Sequence, residues 1–167
     1  MKIDIIDRKI LEILLHAATT PKAEVARMIG IAASAIFERI RRLEESGIIR
    51  RYEARLDARK LGFGSLAYIS ITERKPTGDV DTGKLLAAVT GVEEVHKIAG
   101  RDCFLVKIRA RDTEALGEIL DREINPIPTV AETATTIVLK TVKEDVVLGD
   151  LANPQKISAN FSIETAA

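Results

Sequence analysis

Residues 21–47 read PKAEVARMIGIAASAIFERIRRLEESG, and this stretch decides how the N-terminal third of the chain folds. Pro21 favours the first turn of a helix, and Gly30 favours a left-handed residue at the end of that helix. From residue 33 to 46 the large aliphatic side chains recur on one narrow arc of a helical wheel, at Ile36, Ile40 and Leu43. The stretch therefore predicts two helices joined by a tight turn at residues 30–32.

Ala26, Gly30 and Ile36 have the spacing of a helix-turn-helix motif. A small side chain is needed where the helices cross, glycine allows positive φ in the turn, and Ile36 fills the gap between the helices. Ahead of the motif, an apolar pattern that starts after Asp4 predicts another helix, the first of the chain, ending near His16. The helix at residues 33–46 is then the third. In a DNA-binding unit of this kind the second helix of the motif enters the major groove. The alternative is a three-helix unit that does not touch nucleic acid.

Basic residues concentrate beside the motif, although the whole chain has 25 basic and 25 acidic residues. Residues 1–55 carry 11 lysines and arginines against 8 acidic residues, and residues 39–60 carry 8 against 4. A local basic stretch fits contact with a polyanion, but a solvated helix face gives the same pattern. Charge alone does not choose between these interpretations.

The DNA-binding interpretation assigns roles to side chains of the third helix and the segment after it. Glu38 accepts from a cytosine amino group or pairs with Arg41 or Arg42 within the helix, and the arginines donate to guanine or phosphate. Arg39, Arg50 and Arg51 are expected near phosphates. The full set of candidate DNA-binding residues is Ala33, Ser34, Ala35, Glu38, Arg39, Arg41, Arg42, Arg50 and Arg51.

Beyond residue 62 the periodicity changes from helical to alternating. Strands are predicted at 66–72, 92–99, 103–110 and 130–141, with helices at 81–89 and from Asp112 to about Ile124. A loosely alternating segment at 48–56 predicts a short strand or wing. The order is that of a ferredoxin-like βαββαβ unit, so the fold class is α+β. Both helices would cover one sheet face, and the other face, with Leu105 and Lys107, is a candidate dimer interface.

Composition excludes several classes of protein. The single cysteine, Cys103, cannot form an intramolecular disulfide, which fits a reducing cytosol. The N-terminus has no signal-peptide pattern and no apolar run reaches membrane-spanning length, so a cytoplasmic protein without membrane contact is expected. His16, His96 and Cys103 give no metal-ligand cluster, and no catalytic residue or cofactor is predicted.

Five segments, in order, resemble the Lrp/AsnC (feast/famine) regulators. They are DIIDRKIL at 4–11, ERIRRLEESGII at 38–49, AGRDCFLVK at 99–107, RDTEAL at 111–116 and TTIVL at 135–139. The resemblance implies a winged helix-turn-helix domain at 1–50, a linker or hinge at 51–62 and a RAM/ACT-like domain at 63–144 that binds an effector and forms oligomers. Residues 145–167 extend beyond it. It also implies homodimers that assemble further, often to octamers, and a free amino acid bound between subunits.

The family's effector loop has the pattern Gly-x-x-Asp. Gly100 matches the glycine, but Cys103 stands at the acidic position and Asp102 lies one residue early. An amino acid needs a carboxylate for its ammonium group and backbone N–H groups for its carboxylate. The candidate effector-binding residues are therefore Gly100, Arg101, Asp102, Cys103, Thr135 and Thr136. A plain β-turn at 100–102 is an equal alternative.

Two further functions remain as alternatives to an amino-acid-responsive, sequence-specific DNA-binding regulator. Sirohaem decarboxylases have the same two-domain fold, but they carry a segment rich in histidine and aromatic residues where this chain has only His96 before Cys103 and Phe104. An enzyme is therefore not predicted. The second alternative is a sensor that oligomerises and acts on a partner protein. The basic third helix argues against it only weakly.

Overall fold

The computed structural model describes residues 3–74, 80–100 and 103–144 of the chain. The described residues divide into two compact units, the second of which is Leu56–Lys143, so that one boundary lies between Arg55 and Leu56. This boundary lies inside the segment 51–62 that was expected to be a linker. None of the helices within residues 3–74, 80–100 and 103–144 has both the length and the hydrophobicity of a membrane span.

The first unit contains three helices, α1 (Ile5–His16), α2 (Lys22–Ile29) and α3 (Ala33–Glu45). A capping box begins α1: the Asp4 carboxylate accepts the Asp7 N–H at 2.8 Å, and the Asp7 carboxylate accepts the Asp4 N–H at 3.2 Å. Gly30 ends α2 in the left-handed conformation, with φ of 81°, and donates its N–H to Ala26 O at 2.9 Å. The two helices and the turn of the predicted motif are confirmed.

One apolar cluster holds the three helices together. Its buried members are Ile10, Leu14, Val25, Ala26, Ile36, Ile40 and Leu43. The stripe of α3 that was predicted from periodicity is fully buried in this cluster, because i, i+4 and i+7 side chains share one face of a helix. The opposite face of α3 therefore points away from the unit's core.

The structure has no strand at 48–56, where the sequence predicted a short strand or wing. A strand needs a neighbour to satisfy its backbone groups, and the described part of this unit offers no strand to pair with. The segment is instead anchored to α3 by single contacts. Ile49 donates its N–H to Leu43 O at 3.0 Å, and the Tyr52 hydroxyl donates to Glu44 at 2.8 Å.

The second unit is a four-stranded antiparallel sheet with helices between its strands. The elements are β1 (Ser65–Glu73), α4 (Thr82–Ala87), β2 (Val92–Lys97), β3 (Phe104–Ala110), α5 (Thr113–Ile119) and β4 (Val130–Ile137), and α5 continues into a π-helical turn, Leu120–Ile124. The strand order is β2-β3-β1-β4. This is the expected ferredoxin-like arrangement.

Two strands end earlier than the alternation of their sequence predicts. β2 stops at Lys97 and not at residue 99, and β4 stops at Ile137 and not at residue 141. For β4 the reason lies in its neighbour β1, which begins at Ser65. Ala67 is the last residue paired with β4, opposite Ile137, and Val138 makes one more hydrogen bond, to Leu66 O at 2.8 Å. Further residues of the same pattern have no partner strand.

The two sheet faces have different surroundings. One face packs on the helices through Ala67, Ile69, Ile71, Phe104, Val106 and Ile108, which share a buried cluster with Leu86 of α4 and Leu116 of α5. The opposite face, called here the second sheet face, carries Leu66, Tyr68, Ser70, Leu105 and Lys107, none of which belongs to that cluster. The helices therefore cover one face, as predicted.

Candidate nucleic-acid interface and effector loop

The exposed side of α3 carries polar side chains directly opposite its buried stripe. Ser34, Glu38 and Arg41 are all exposed. Ala32 precedes the helix without a side-chain cap, and the first turn has no acidic residue. The first N–H groups and the positive end of the helix dipole are thus not compensated by a side chain of this helix, which favours an anion at this end.

Glu38 and Arg41 form an ion pair on this exposed side. Arg41 Nη2 lies 2.7 Å from Glu38 Oε1, and Arg41 Nε lies 3.8 Å from Glu45 Oε1. Ion pairs between exposed side chains one turn apart contribute little to stability, because water screens both charges. The intrahelical pairing expected as one fate of Glu38 therefore exists in the free chain, and it is weak enough to be exchanged for contacts to DNA.

Arg39 points in another direction, toward α1. Its Nη1 donates to Asp4 Oδ2 at 2.6 Å and to Asp7 Oδ1 at 2.7 Å, and the Asp7 side chain is only 2% exposed. The pKa of Asp4 is held below its ordinary value by the backbone N–H of Asp7 and then by Arg39. Arg39 therefore joins α3 to the first turn of α1, and its charge is balanced inside the unit. These contacts do not favour the phosphate role expected for it.

The other candidate DNA-binding residues lie at the surface of the first unit. Ala33 and Ala35 are exposed in the first turn of α3. Arg42 is about half exposed and reaches Asp7 Oδ1 only at 3.9 Å. Arg50 is exposed, and Arg51 pairs with the neighbouring Glu53 at 2.9 Å. All of these side chains can reach a ligand without the core being disturbed.

Sequence reasoning missed one exposed side chain and its neighbour. Phe37 is 51% exposed on α3, and Lys22 Nζ lies 5.2 Å from the centroid of its ring. The signal was present in the sequence, because a residue three positions after Ser34 and four before Arg41 lies on the same side of a helix. The position was overlooked because a large apolar side chain is ordinarily assigned to the core.

The structure describes the expected effector loop in part. Gly100 is exposed, and Cys103 is half-buried, with its N–H bonded to Ile71 O at 2.8 Å and its carbonyl accepting from the Ile98 N–H at 2.9 Å. Arg101 and Asp102 lie outside the described residues. The loop therefore leaves the sheet at the end of β2 and returns beside the end of β1.

Thr135 and Thr136 are not brought next to this loop within one chain. They are exposed on β4 opposite Ile69 and Tyr68, whereas Cys103 precedes β3 on the far side of β1. Two strand spacings therefore separate the threonines from Cys103, and two spacings amount to roughly 10 Å. Adjacent strand residues also point to opposite faces, so only one of the two threonines can serve any single site.

The described residues offer no metal centre. Within residues 3–74, 80–100 and 103–144 no group of three or more histidine, cysteine, aspartate or glutamate side chains could hold a metal ion. His96 Nε2 lies 3.0 Å from Glu94 Oε2, so its nearest charged neighbour is a carboxylate of its own strand.

Models of two protein families match the chain, one for each unit. Residues 3–50 match a winged helix-turn-helix DNA-binding family, and residues 66–148 match the Lrp/AsnC ligand binding domain. Among curated relatives, the HTH-type transcriptional regulator FL11 of Pyrococcus horikoshii is 39% identical over 142 residues, which cover 85% of this chain and 93% of that protein. The HTH-type transcriptional regulator LrpA of the same organism is 35% identical, with 84% and 99% covered.

Solved structures match both units in one alignment. The structure of AsnC from E. coli has a TM-score of 0.79 and 27% identity, and the match covers 88% of this chain and 99% of that one. A feast or famine regulatory protein from M. tuberculosis, complexed with L-methionine, has a TM-score of 0.80 and 29% identity, with 86% and 97% covered. The order of the two units and nearly the full length of these proteins are therefore shared.

Proposed function

The chain belongs to the Lrp/AsnC family of transcriptional regulators, and from this premise we propose how it contacts DNA, an effector and other copies of itself. It is a DNA-binding regulator and not an enzyme, as are the relatives that it matches over most of their length. The observation that carries the proposal is the division of α3 into a fully buried stripe and an exposed polar side. A helix of this kind can lie in the major groove while its other side stays in the core.

The DNA contacts divide into two groups. Ser34, Glu38 and Arg41 face base edges, because they share the exposed side of α3 and offer both donors and acceptors. Arg42, Arg50 and Arg51 neutralise phosphates at the margin of the groove. Arg39 supports the helix from behind through Asp4 and Asp7.

The effector is a free amino acid bound at the loop 100–103. The M. tuberculosis relative in complex with L-methionine supports this ligand class. Cys103 brings no charge to the position where the family pattern has an acid, so Asp102 supplies the carboxylate for the ammonium group, and backbone N–H groups of the loop meet the ligand's carboxylate. Thr135 or Thr136 takes part only from a second subunit, since both lie two strands away in their own chain.

The second sheet face joins two chains into a homodimer, and dimers assemble further. Leu105 on this face is only half-buried and lies outside the helix-packed cluster, so the fold within one unit gives it no helix to pack on. A sheet face of mixed polarity with no helix over it is covered most simply by its own copy, related by a two-fold axis. An octamer is one closed assembly that such dimers can form.

Gel-shift titration of the full chain on the DNA upstream of its own gene tests the proposal. We expect binding that weakens steeply with salt, and an Arg50→Ala variant whose log–log salt slope is smaller by about 1. Arg122→Ala, which removes an exposed charge from the second unit, is the matched control and keeps the wild-type slope. Each proteinogenic amino acid is then added in turn, and at least one changes the affinity or the number of shifted species.

Distinct results contradict distinct parts of this proposal. No binding at low salt, where phosphate contacts are strongest, contradicts the DNA-binding function itself. Binding that no amino acid changes contradicts the effector class. An amino-acid response that survives Asp102→Ala contradicts the assignment of the loop.

A further inference from the structure

Four exposed residues of α3 form one stripe along the helix. Ser34, Phe37, Glu38 and Arg41 follow one another at i, i+3, i+4 and i+7, the spacing that places side chains on one side of a helix. Three of them are polar, and the fourth is a phenyl ring that is 51% exposed. A helix that inserts one side into the major groove brings all four positions to the base pairs.

Phe37 does not contribute to the core of its unit. The buried cluster of the three helices and the half-buried side chains around it do not include Phe37. The Lys22 ammonium lies over the Phe37 ring, 5.2 Å from its centroid, and Lys22 is the first residue of α2. A cation over one face of the ring limits how the ring rotates and leaves its edge and other face available.

The charges around the ring fit nucleic acid. Lys22 stands on one side of Phe37, and Arg41 follows one helical turn later on the same stripe. The uncapped first turn of α3 adds a positive dipole end. Arg41 is also paired with Glu38 and Glu45. The ring is therefore an apolar group among exposed donors and acceptors, a combination that matches the edge of a base pair.

We propose that Phe37 reads thymine, through contact of its ring with the C5-methyl group in the major groove. This methyl is the apolar group that distinguishes thymine on the major-groove edge, and aromatic side chains are suited to contact it. Glu38 and Arg41 then read polar groups of the neighbouring base pairs. The proposal rests on the proposed DNA-binding function and adds a base preference to it.

Replacement of thymine by deoxyuridine tests this contact, because it removes the methyl and changes no hydrogen-bonding group. The probe is a duplex that the wild-type chain selects from a randomised pool, remade with one thymine at a time replaced. Wild type is expected to bind roughly fourfold more weakly when the contacted methyl is absent. This is the affinity lost when one methyl group is no longer buried at the interface. Phe37→Ala binds the thymine and uracil duplexes equally, and Phe37→Leu keeps part of the difference.

Met28→Ala is the matched control, since Met28 is an exposed apolar residue of the same unit that lies on α2 and not on the stripe. It is expected to keep the full sensitivity to uracil. Wild-type binding that is insensitive to every replacement overturns the Phe37 proposal and leaves the DNA-binding function standing. A Phe37→Ala variant that keeps the wild-type penalty also overturns it.

Two further outcomes are informative. If Phe37→Ala changes the sedimenting mass but not the uracil penalty, the ring is a contact between copies of the chain and the proposal is wrong. If the wild-type chain binds no duplex even at low salt, both the proposal and the function on which it rests are wrong.

Discussion

Arg39 illustrates how a single side chain changes its role once its neighbours are known. From the sequence it is one of several arginines in a basic helix, all suited to phosphate. In the structure its guanidinium bridges Asp4 and Asp7, and Asp7 is almost fully buried. A buried carboxylate is stable only while it is paired and hydrogen-bonded, so Arg39 supports the orientation of α3 on α1.

Replacement of Arg39 by methionine is expected to destabilise the first unit by about 3 kcal/mol, because it leaves the Asp7 carboxylate buried without its main partner. Arg41→Met is the control and is expected to lose far less stability, since its partners Glu38 and Glu45 are exposed and water screens their charges. Urea unfolding of the full chain, followed by amide hydrogen exchange in α1 and α3, measures both. Equal losses for the two variants would contradict the structural role of Arg39.

At the scale of single elements, two glycines adopt positive φ for different reasons. Gly30 has φ of 81° and open space where a Cβ would stand. Gly91, between α4 and β2, has φ of 77°, and a Cβ there would collide with the carbonyl oxygen of Arg109. The first glycine is required by backbone conformation alone, and the second also by the close approach of β3.

The two positions therefore predict different costs for the same substitution. Gly30→Ala is expected to lose about 1–2 kcal/mol, the cost of a left-handed conformation with a side chain. Gly91→Ala is expected to lose this amount and roughly 1–3 kcal/mol more, because the β3 backbone must be displaced. Unfolding free energies from urea titration compare them, with hydrogen exchange assigning each loss to its own unit. A Gly91→Ala loss no larger than that of Gly30→Ala argues against the close approach.

At the scale of the whole molecule, the second sheet face combines apolar and charged groups. Lys107, 8% exposed, lies 3.3 Å from Glu93 and 3.2 Å from Glu94. Both carboxylates reach it because the pairing of β2 with β3 shifts between Val92 and Glu94. Leu105 stands next to this network, opposite His96 and Ser70. The ion pairs thus balance charge on a face that a second copy is proposed to cover.

A charge at Leu105 is expected to break the proposed dimer. Leu105→Glu buries an unpaired carboxylate at the interface and weakens dimerisation by at least roughly 100-fold. Thr113→Glu adds the same charge at the exposed first residue of α5, a helix that packs on the other sheet face, and its association is expected to match wild type. Sedimentation equilibrium measures the assembly, and circular dichroism shows that each variant is folded. An unchanged assembly for Leu105→Glu would place the interface elsewhere.

The local elements of this protein follow from its sequence. The turn at Gly30, the buried stripe of α3 and the caps Asp4 and Asp112 each depend on residues a few positions apart, so periodicity and capping chemistry predict them. The βαββαβ order is likewise predicted, because alternating and helical apolar patterns follow one another in this order along the chain. The same information indicates which sheet face the helices cover.

Only the tertiary structure decides which residues meet across the chain. The bridge from Arg39 to Asp7 spans 32 positions, and the approach of Gly91 to Arg109 depends on the register of two strands. The early end of β4 depends on where β1 begins, and the distance of Thr135 from Cys103 depends on the strand order. Hydrophobic periodicity fixes which side of an element is buried, but pairing and register are set by packing between distant segments.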